Sequence, residues 1–325
     1  MRNGSPAERG KMSKPIKKKY IKKVRQKGKL YQLLIFIPLI IISLASVAYK
    51  RNITWNDNVQ LWSDAAEKSP NKERIHTAIG NAYHEQGQLP KAIDKFITAI
   101  ELNPDYADAH SNLGFAYYEQ GQIDKAIEEY LFALKLRPDY TETHNNLGLA
   151  YSMKGFLDKA LEEYSIALKF DPENAEAHYN LGLAYFKQGK FDEAITEFTT
   201  SLKLKPDLPE AYNDLGNMYF RQGRFDEAAK QYRMALGLKP DFSEVHNNLG
   251  SLYYEQGRLE EAIKEYRIAL NLNPDFPDAH YNLGFIYSQQ GRLTEAIEEY
   301  KAVLSLRPDD RETRQALELL SRQSK

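Results

Sequence analysis

From residue 73 to residue 310 the chain repeats itself every 34 residues without a slip in register. The marks are Gly80, Gly114, Gly148, Gly182, Gly216, Gly250 and Gly284, and then Pro104, Pro138, Pro172, Pro206, Pro240, Pro274 and Pro308. Tyr83, Tyr117, Tyr151, Tyr185, Tyr219, Tyr253 and Tyr287 follow the same step, as do Ala92, Ala126, Ala160, Ala194, Ala228, Ala262 and Ala296. A unit of this length cannot bury an apolar face alone. Such units must stack, each covering its neighbour, which makes the chain an array rather than a pair of ordinary domains.

One unit, Ala175 to Leu208, shows what it must fold into. With Ala175 as position 1, helical spacing gathers positions 4, 7, 8 and 11 (His178, Leu181, Gly182, Tyr185) on one face, so that face is the buried one. Gly182 lets a neighbouring helix come close to its backbone. Gly189 suits the left-handed residue that ends a helix and marks a turn. Asp192, like Asp124, Asp158 and Asp226, stands where a second helix is expected to take its N-cap. Ala194 and Phe198 lie one turn apart on that helix, and Pro206 ends it.

The set Leu-Gly-x-x-Tyr, then Ala-x-x-x-Phe/Tyr, then Pro, resembles the tetratricopeptide repeat. The resemblance implies an all-α fold, a right-handed superhelical solenoid of seven helix-turn-helix units at 73–106, 107–140, 141–174, 175–208, 209–242, 243–276 and 277–310. Residues 50–72 keep the register: Trp62, Ala65 and Pro70 stand 34 before Phe96, Ala99 and Pro104, and read as a lone second helix that caps the array. At 311–325 another first helix begins, but Glu318 takes the place of the repeat glycine, so this segment reads as the C-terminal cap.

The net charge of -1 hides two unlike parts. Residues 1–51 hold 14 Lys and Arg against one Glu, and the rest of the chain holds 30 basic and 44 acidic residues. Nine of the basic residues fall between Lys14 and Lys29, in a stretch (1–29) that reads as a disordered tail. Leu30 to Tyr49 then carries no charge over 20 residues, enough for a helix of about 30 Å, the thickness of a bilayer core. The segment reads as one transmembrane helix, with Pro38 tolerated there. The basic flank places the N-terminus on the cytoplasmic side and the array outside the cytoplasmic membrane, as a single-pass protein. Ser46-Val47-Ala48 also suits a signal peptidase, so a cleaved leader is the rival reading, and Met12 is an alternative start. The acidic array does not suit nucleic acid. The chain contains no Cys, which excludes disulfides and thiol catalysis.

Arg51, Trp55, Leu61-Trp62, Asp64 and Lys68-Ser69-Pro70, directly after an apolar segment, resemble the junction of multi-spanning glycosyltransferase-like membrane proteins that carry C-terminal tetratricopeptide repeats. That resemblance implies a multi-pass membrane partner. It covers about 20 residues and none of the multi-pass catalytic part.

No catalytic constellation stands out, and the chain reads as a non-enzyme without cofactor or metal. Six of the seven His (His76, His110, His144, His178, His246, His280) occupy position 4, where the reading is packing; successive copies stand roughly 8 to 10 Å apart, too far to share a metal. Twelve of the 22 Tyr fill the two aromatic core positions. Position 6 is different. It lies about 200° round the first helix from position 4 and is expected to face away from the core, into a groove, with Asn112, Asn146, Asn180, Asp214, Asn248 and Asn282 in a row. Asn is a poorer helix former than Glu or Lys, so its recurrence asks for a reason. The row resembles the asparagine ladder of the repeats in O-linked N-acetylglucosamine transferase, which implies a grip on the main chain of a peptide. Phe115, Tyr118, Phe186, Phe220 and Tyr254 stand on or beside the same face, and Asp108, Glu142, Glu176, Glu210, Glu244 and Asp278 are expected to make one edge negative. A neutral or basic extended polypeptide suits such a groove. Three readings remain open: a membrane-anchored peptide-binding scaffold, an accessory or detached part of a membrane glycosyltransferase system, and a glycan-binding scaffold.

Overall fold

The computed structural model describes residues 58–323. The basic tail, the uncharged segment 30–49 and residues 50–57 of the junction lie outside the described residues. Among those described there are sixteen helices and no strand, and none of the helices is long and apolar enough to cross a membrane. The chain divides after Pro104 into two units.

The described part of the first unit holds α1 (Asn58–Lys68), α2 (Glu73–Glu85) and α3 (Leu89–Leu102). The expected capping helix is α1, which packs on α2. Trp62 is 38% exposed whereas Phe96, its counterpart 34 residues on, is 2% exposed, because α1 has no first helix of its own to pack against on the other side.

The second unit holds six helix pairs and a last single helix: α4 (Ala107–Glu119) and α5 (Ile123–Leu136), α6 (Thr141–Met153) and α7 (Leu157–Phe170), α8 (Ala175–Lys187) and α9 (Phe191–Leu204), α10 (Pro209–Arg221) and α11 (Phe225–Leu238), α12 (Ser243–Glu255) and α13 (Leu259–Leu272), α14 (Pro277–Gln289) and α15 (Leu293–Leu306), and α16 (Arg311–Gln323). Within a pair the lock is an aromatic ring on a glycine. A Cβ on Gly148 would stand 2.5 Å from the Tyr164 ring, so only glycine admits that ring, which is 1% exposed. Between pairs the core is shared: Tyr130 and Leu134 of one repeat join Leu147, Tyr151 and Tyr164 of the next and Leu181 of the one after. Each unit's apolar face is completed by its neighbours. Leu320 of α16, with Ala316 and Leu317, closes the last cluster, and Glu318 is exposed.

The turn glycines behave as their spacing predicts. Gly189 has φ +77°, and the N–H groups of Gly189 and Lys190 donate to the carbonyls of Phe186 and Tyr185, both at 2.9 Å, satisfying the end of α8. The aspartates after the turn do not cap. The N-cap positions are Gln122, Phe156, Lys190 and Arg224, with no side-chain bond to the helix, and Asp124, Asp158, Asp192 and Asp226 sit one residue inside the first turn. There they complement the helix dipole and reach the following repeat: Gln188 Nε2 donates to Asp158 at 2.7 Å and Gln222 Nε2 to Asp192 at 3.0 Å.

Candidate functional site

Position 4 does more than pack. In five repeats the His Nδ1 meets a Glu Oε2 exactly 19 residues on: His110 with Glu129, His144 with Glu163, His178 with Glu197 (each 2.6 Å), His246 with Glu265 (2.7 Å) and His280 with Glu299 (2.5 Å). Nε2 of His144, His178, His246 and His280 meets the carbonyl of Pro138, Pro172, Pro240 and Pro274 at 3.0 to 3.3 Å. Each rung therefore ties the first helix both to its second helix and to the proline that ended the repeat before. At His144, His246 and His280 both ring nitrogens face acceptors, an arrangement satisfied in full by an imidazolium beside a carboxylate. At His144 burial pulls the ring's pKa down, but the Glu163 and Pro138 bonds outweigh it and raise the net value; at His246 and His280 the Glu bond leads and the shift is again upward. Glu at position 23 was not singled out by the sequence reading, and its constant distance of 19 from each His is the signal that finds it.

Position 6 does not stand free in a groove. Asn146 and Asn180 are buried, and Asn112, Asp214, Asn248 and Asn282 are half-buried. The amides reach back 35 residues to position 5 of the preceding repeat. Asn180 Nδ2 donates to Asn145 Oδ1 at 3.0 Å, Asn248 Nδ2 to Asn213 Oδ1 at 2.9 Å, and Asn282 Nδ2 to Asn247 Oδ1 at 3.1 Å. Asn248 also donates to Asn217 Oδ1 at 3.1 Å. Where position 6 is an acid, position 5 is a donor: Tyr179 OH donates to Asp214 Oδ2 at 2.9 Å. Burial pushes the Asp214 carboxyl up to about 6, while the Tyr179 and Asn213 bonds hold it down and Glu210 adds to the rise. The row is thus a seam between repeats. Its amide nitrogens point into that seam, and among the described residues the side-chain oxygens of Asn180, Asn248 and Asn282 accept nothing.

The aromatic candidates are half-buried and line the same run of helices. Phe186 packs near Phe191 with ring centroids 6.1 Å apart, Phe220 near Phe225 at 5.7 Å, and Tyr254 edge-on to Phe285 at 5.9 Å. Phe115 and Tyr118 pack on the core of the second and third repeats. The acidic edge is partly neutralised. Asp108 is paired with Arg137 and Asp278 with Arg307 at 2.7 Å, and Glu210 lies 3.7 Å from Lys239. Position 31 supplies these bases, 29 residues after each acid.

The comparisons with known proteins agree with this architecture. The family described as the cilia and flagella-associated protein 70 C-terminal domain, a tetratricopeptide-repeat family, matches residues 44–273, and the tetratricopeptide repeat family matches residues 247–311. A search of curated proteins gave no match. Among solved structures, a chain of the APC/C hetero-tetramer Cut9-Hcn1 superposes with TM-score 0.65 at 18% identity, over 81% of this chain and 52% of that one, so this chain spans about half its length. Pseudomonas aeruginosa PilF gives 0.59 at 20% identity over 64% of this chain and 94% of that one. A tetratricopeptide repeat protein from Parabacteroides merdae gives 0.58 at 20% identity over 81% and 99%. Identities this low carry the fold alone. With a match over residues 44–273 and a ring-on-glycine lock in every repeat, the chain belongs to the tetratricopeptide-repeat family represented by the cilia and flagella-associated protein 70 C-terminal domain.

Proposed function

We propose that the protein is a non-enzymatic scaffold that holds an extended polypeptide along the first helices of its repeats, and that residues 30–49 anchor it in the cytoplasmic membrane with the repeats outside. The observation that carries the binding reading is the line of uncommitted side-chain oxygens on Asn180, Asn248 and Asn282. Each stands beside half-buried rings, and each has an amide nitrogen already fixed by the repeat before it. Fixed acceptors at a regular step suit backbone N–H groups, whatever the side chains. With first helices about 8 to 10 Å apart and an extended chain advancing about 3.3 Å per residue, one acceptor meets every third residue.

The test uses a dodecamer selected from a random peptide library on the full chain. N-methylating one backbone amide in every three should cost about 0.5 to 1.5 kcal/mol per lost bond, two- to twelvefold in Kd, in one of the three frames and much less in the others. Equal affinity in all frames would remove the main-chain reading. The anchor rests on the uncharged run and its basic flank. Protease added to intact spheroplasts of a bacterial host should digest the repeats and spare a small basic fragment; full protection would place the repeats inside. The junction around Trp55 favours the glycosyltransferase-type alternative, which a multi-pass partner co-purifying in mild detergent would support.

A further inference from the structure

A cleft of about 460 Å³ opens between α10, α12, α14 and α16, lined by the rings of Phe220, Tyr254, Tyr281 and Phe285 and by the carboxylates of Glu255 and Glu312. The chain itself shows what such a ring accepts. One step earlier in the array, the guanidinium of Arg221 stands 5.5 Å from the centroid of the Phe186 ring. Thirty-four residues on, Phe186 becomes Phe220 and Arg221 becomes Glu255. The ring is kept, and a carboxylate stands where the cation stood. At the next step Gln289 Nε2 donates to the Tyr254 hydroxyl at 3.1 Å, so a side chain of the protein again reaches the aromatic residue of the repeat before. Only the step from Phe220 to Glu255 combines an aromatic face with an acid. Among the described residues Glu255 and Glu312 have no ion pair, and Glu312 accepts from Tyr281 OH at 2.8 Å, which fixes one carboxylate against the cleft wall.

We propose that this cleft receives a lysine or arginine side chain of the bound polypeptide, its methylenes against the rings and its charged head at Glu255 and Glu312. The inference rests on the scaffold reading and adds to it a preferred residue. Ring faces attract a cation, and a desolvated cation-ring contact adds to a charge-assisted hydrogen bond. An apolar side chain would bury the two carboxylates unpaired, and an acidic one would be repelled. Arginine fits better than lysine, because its flat guanidinium stacks on a ring and still donates to both carboxylates.

The test takes five labelled nonapeptides of Gly and Ser that differ only at the centre (Arg, Lys, Gln, Leu, Glu) and measures their binding to the full chain by fluorescence anisotropy. The Arg peptide should bind about tenfold or more tighter than the Leu peptide, with Lys next and Glu last. Glu255→Gln with Glu312→Gln should remove that preference and leave the Leu peptide unchanged. Glu255→Arg, which copies the Arg221 arrangement, should fill the cleft from within and abolish it as well. Circular dichroism checks that each variant is folded. Equal binding of all five peptides would leave the scaffold reading standing and overturn the cleft. Binding of none would overturn both, and an Arg preference that survives in the folded double variant would place the cation elsewhere.

Discussion

The third and fifth repeats have the same backbone plan and answer two of its positions with different chemistry. In the third, His144 pairs with Glu163 and takes the Pro138 carbonyl, and Asn146 stands in the amide row. In the fifth, position 4 is Tyr212, position 23 is Gln231 and position 6 is Asp214. The substitutions come in matched sets. Where the His goes, its Glu goes too; where the row turns acidic, the residue 35 positions earlier is Tyr179, which can donate to a carboxylate. A residue in this array is chosen by a partner at a fixed distance, 19 within a repeat and 35 across a seam. The ring on glycine is the part both repeats share: a Cβ would stand 2.5 Å from Tyr164 at Gly148 and 2.6 Å from Tyr232 at Gly216.

That shared part gives the largest expected effect. Gly148→Ala and Gly216→Ala should each cost about 3 kcal/mol, because a buried ring on the second helix has to move for one methyl group. Thermal melts should show the two losses equal. A clearly smaller loss at Gly216 would mean that the His rung of the third repeat, rather than the ring, sets how tightly a pair can close.

Breaking the rung itself comes next. Glu163→Ala leaves Nδ1 of His144 buried without a partner and should cost about 2 kcal/mol. Glu163→Gln should cost less, since an amide can donate to a neutral ring whose Nε2 still donates to Pro138. The two variants separate hydrogen bonding from charge. The folded pKa of His144, His246 and His280 is raised above the ordinary 6.5, so the rungs contribute fully below pH 6.5 and their contribution is lost as pH rises through the folded value. Melting temperature should therefore fall between pH 6 and pH 8, and less steeply in Glu163→Gln. A flat profile in the parent chain would show that the rings stay neutral in the fold.

Much of this fold was legible in the sequence because a 34-residue period repeats each packing constraint seven times. Gly148, Tyr151 and Tyr164 recur in register, and they hold the core the period implies. The cap at Asp192 misled, because aspartate favours the second residue of a helix as well as its N-cap, and the turn geometry at Gly189 decides between them. The site was half legible. Residue type and helical angle picked out Asn180 and Asn248, but an angle around one helix says nothing about the helix beside it. There the amide nitrogens find Asn145 and Asn213. The position 5 partners show only when the sequence is compared at 35 rather than at 34.

A smaller effect tests the acid in the row. The Asp214 carboxyl, raised to about 6 by burial first, is protonated more readily in the fold than in the unfolded chain, where its ordinary value is 3.8. Its contribution is therefore most favourable below pH 4, and stability is lost as pH rises to about 6. Asp214→Asn removes that cost and keeps an acceptor for Tyr179, so it should stabilise by about 1 to 2 kcal/mol at pH 7.5 and by little at pH 4. A gain that is the same at both values would trace to packing instead of charge.

The smallest expected effect comes from the first repeat, which holds half of a rung. His76 is present and its Nε2 lies 2.7 Å from the Pro70 carbonyl, but position 23 is Lys95, and His76 Nδ1 is buried without a hydrogen-bond partner. Lys95→Glu restores the spacing of 19 found at His144 and Glu163, and should stabilise by about 1 kcal/mol, the net worth of one hydrogen bond. Part of that gain could come from removing a lysine, so the measurement is a cycle of four chains: parent, Lys95→Glu, His76→Phe and the double variant. If the rung is the cause, Lys95→Glu stabilises the parent and has no effect once His76 is Phe. If both backgrounds gain alike, the partner at 19 is not what selects Glu, and the matched pairs of the third and fifth repeats would need another explanation.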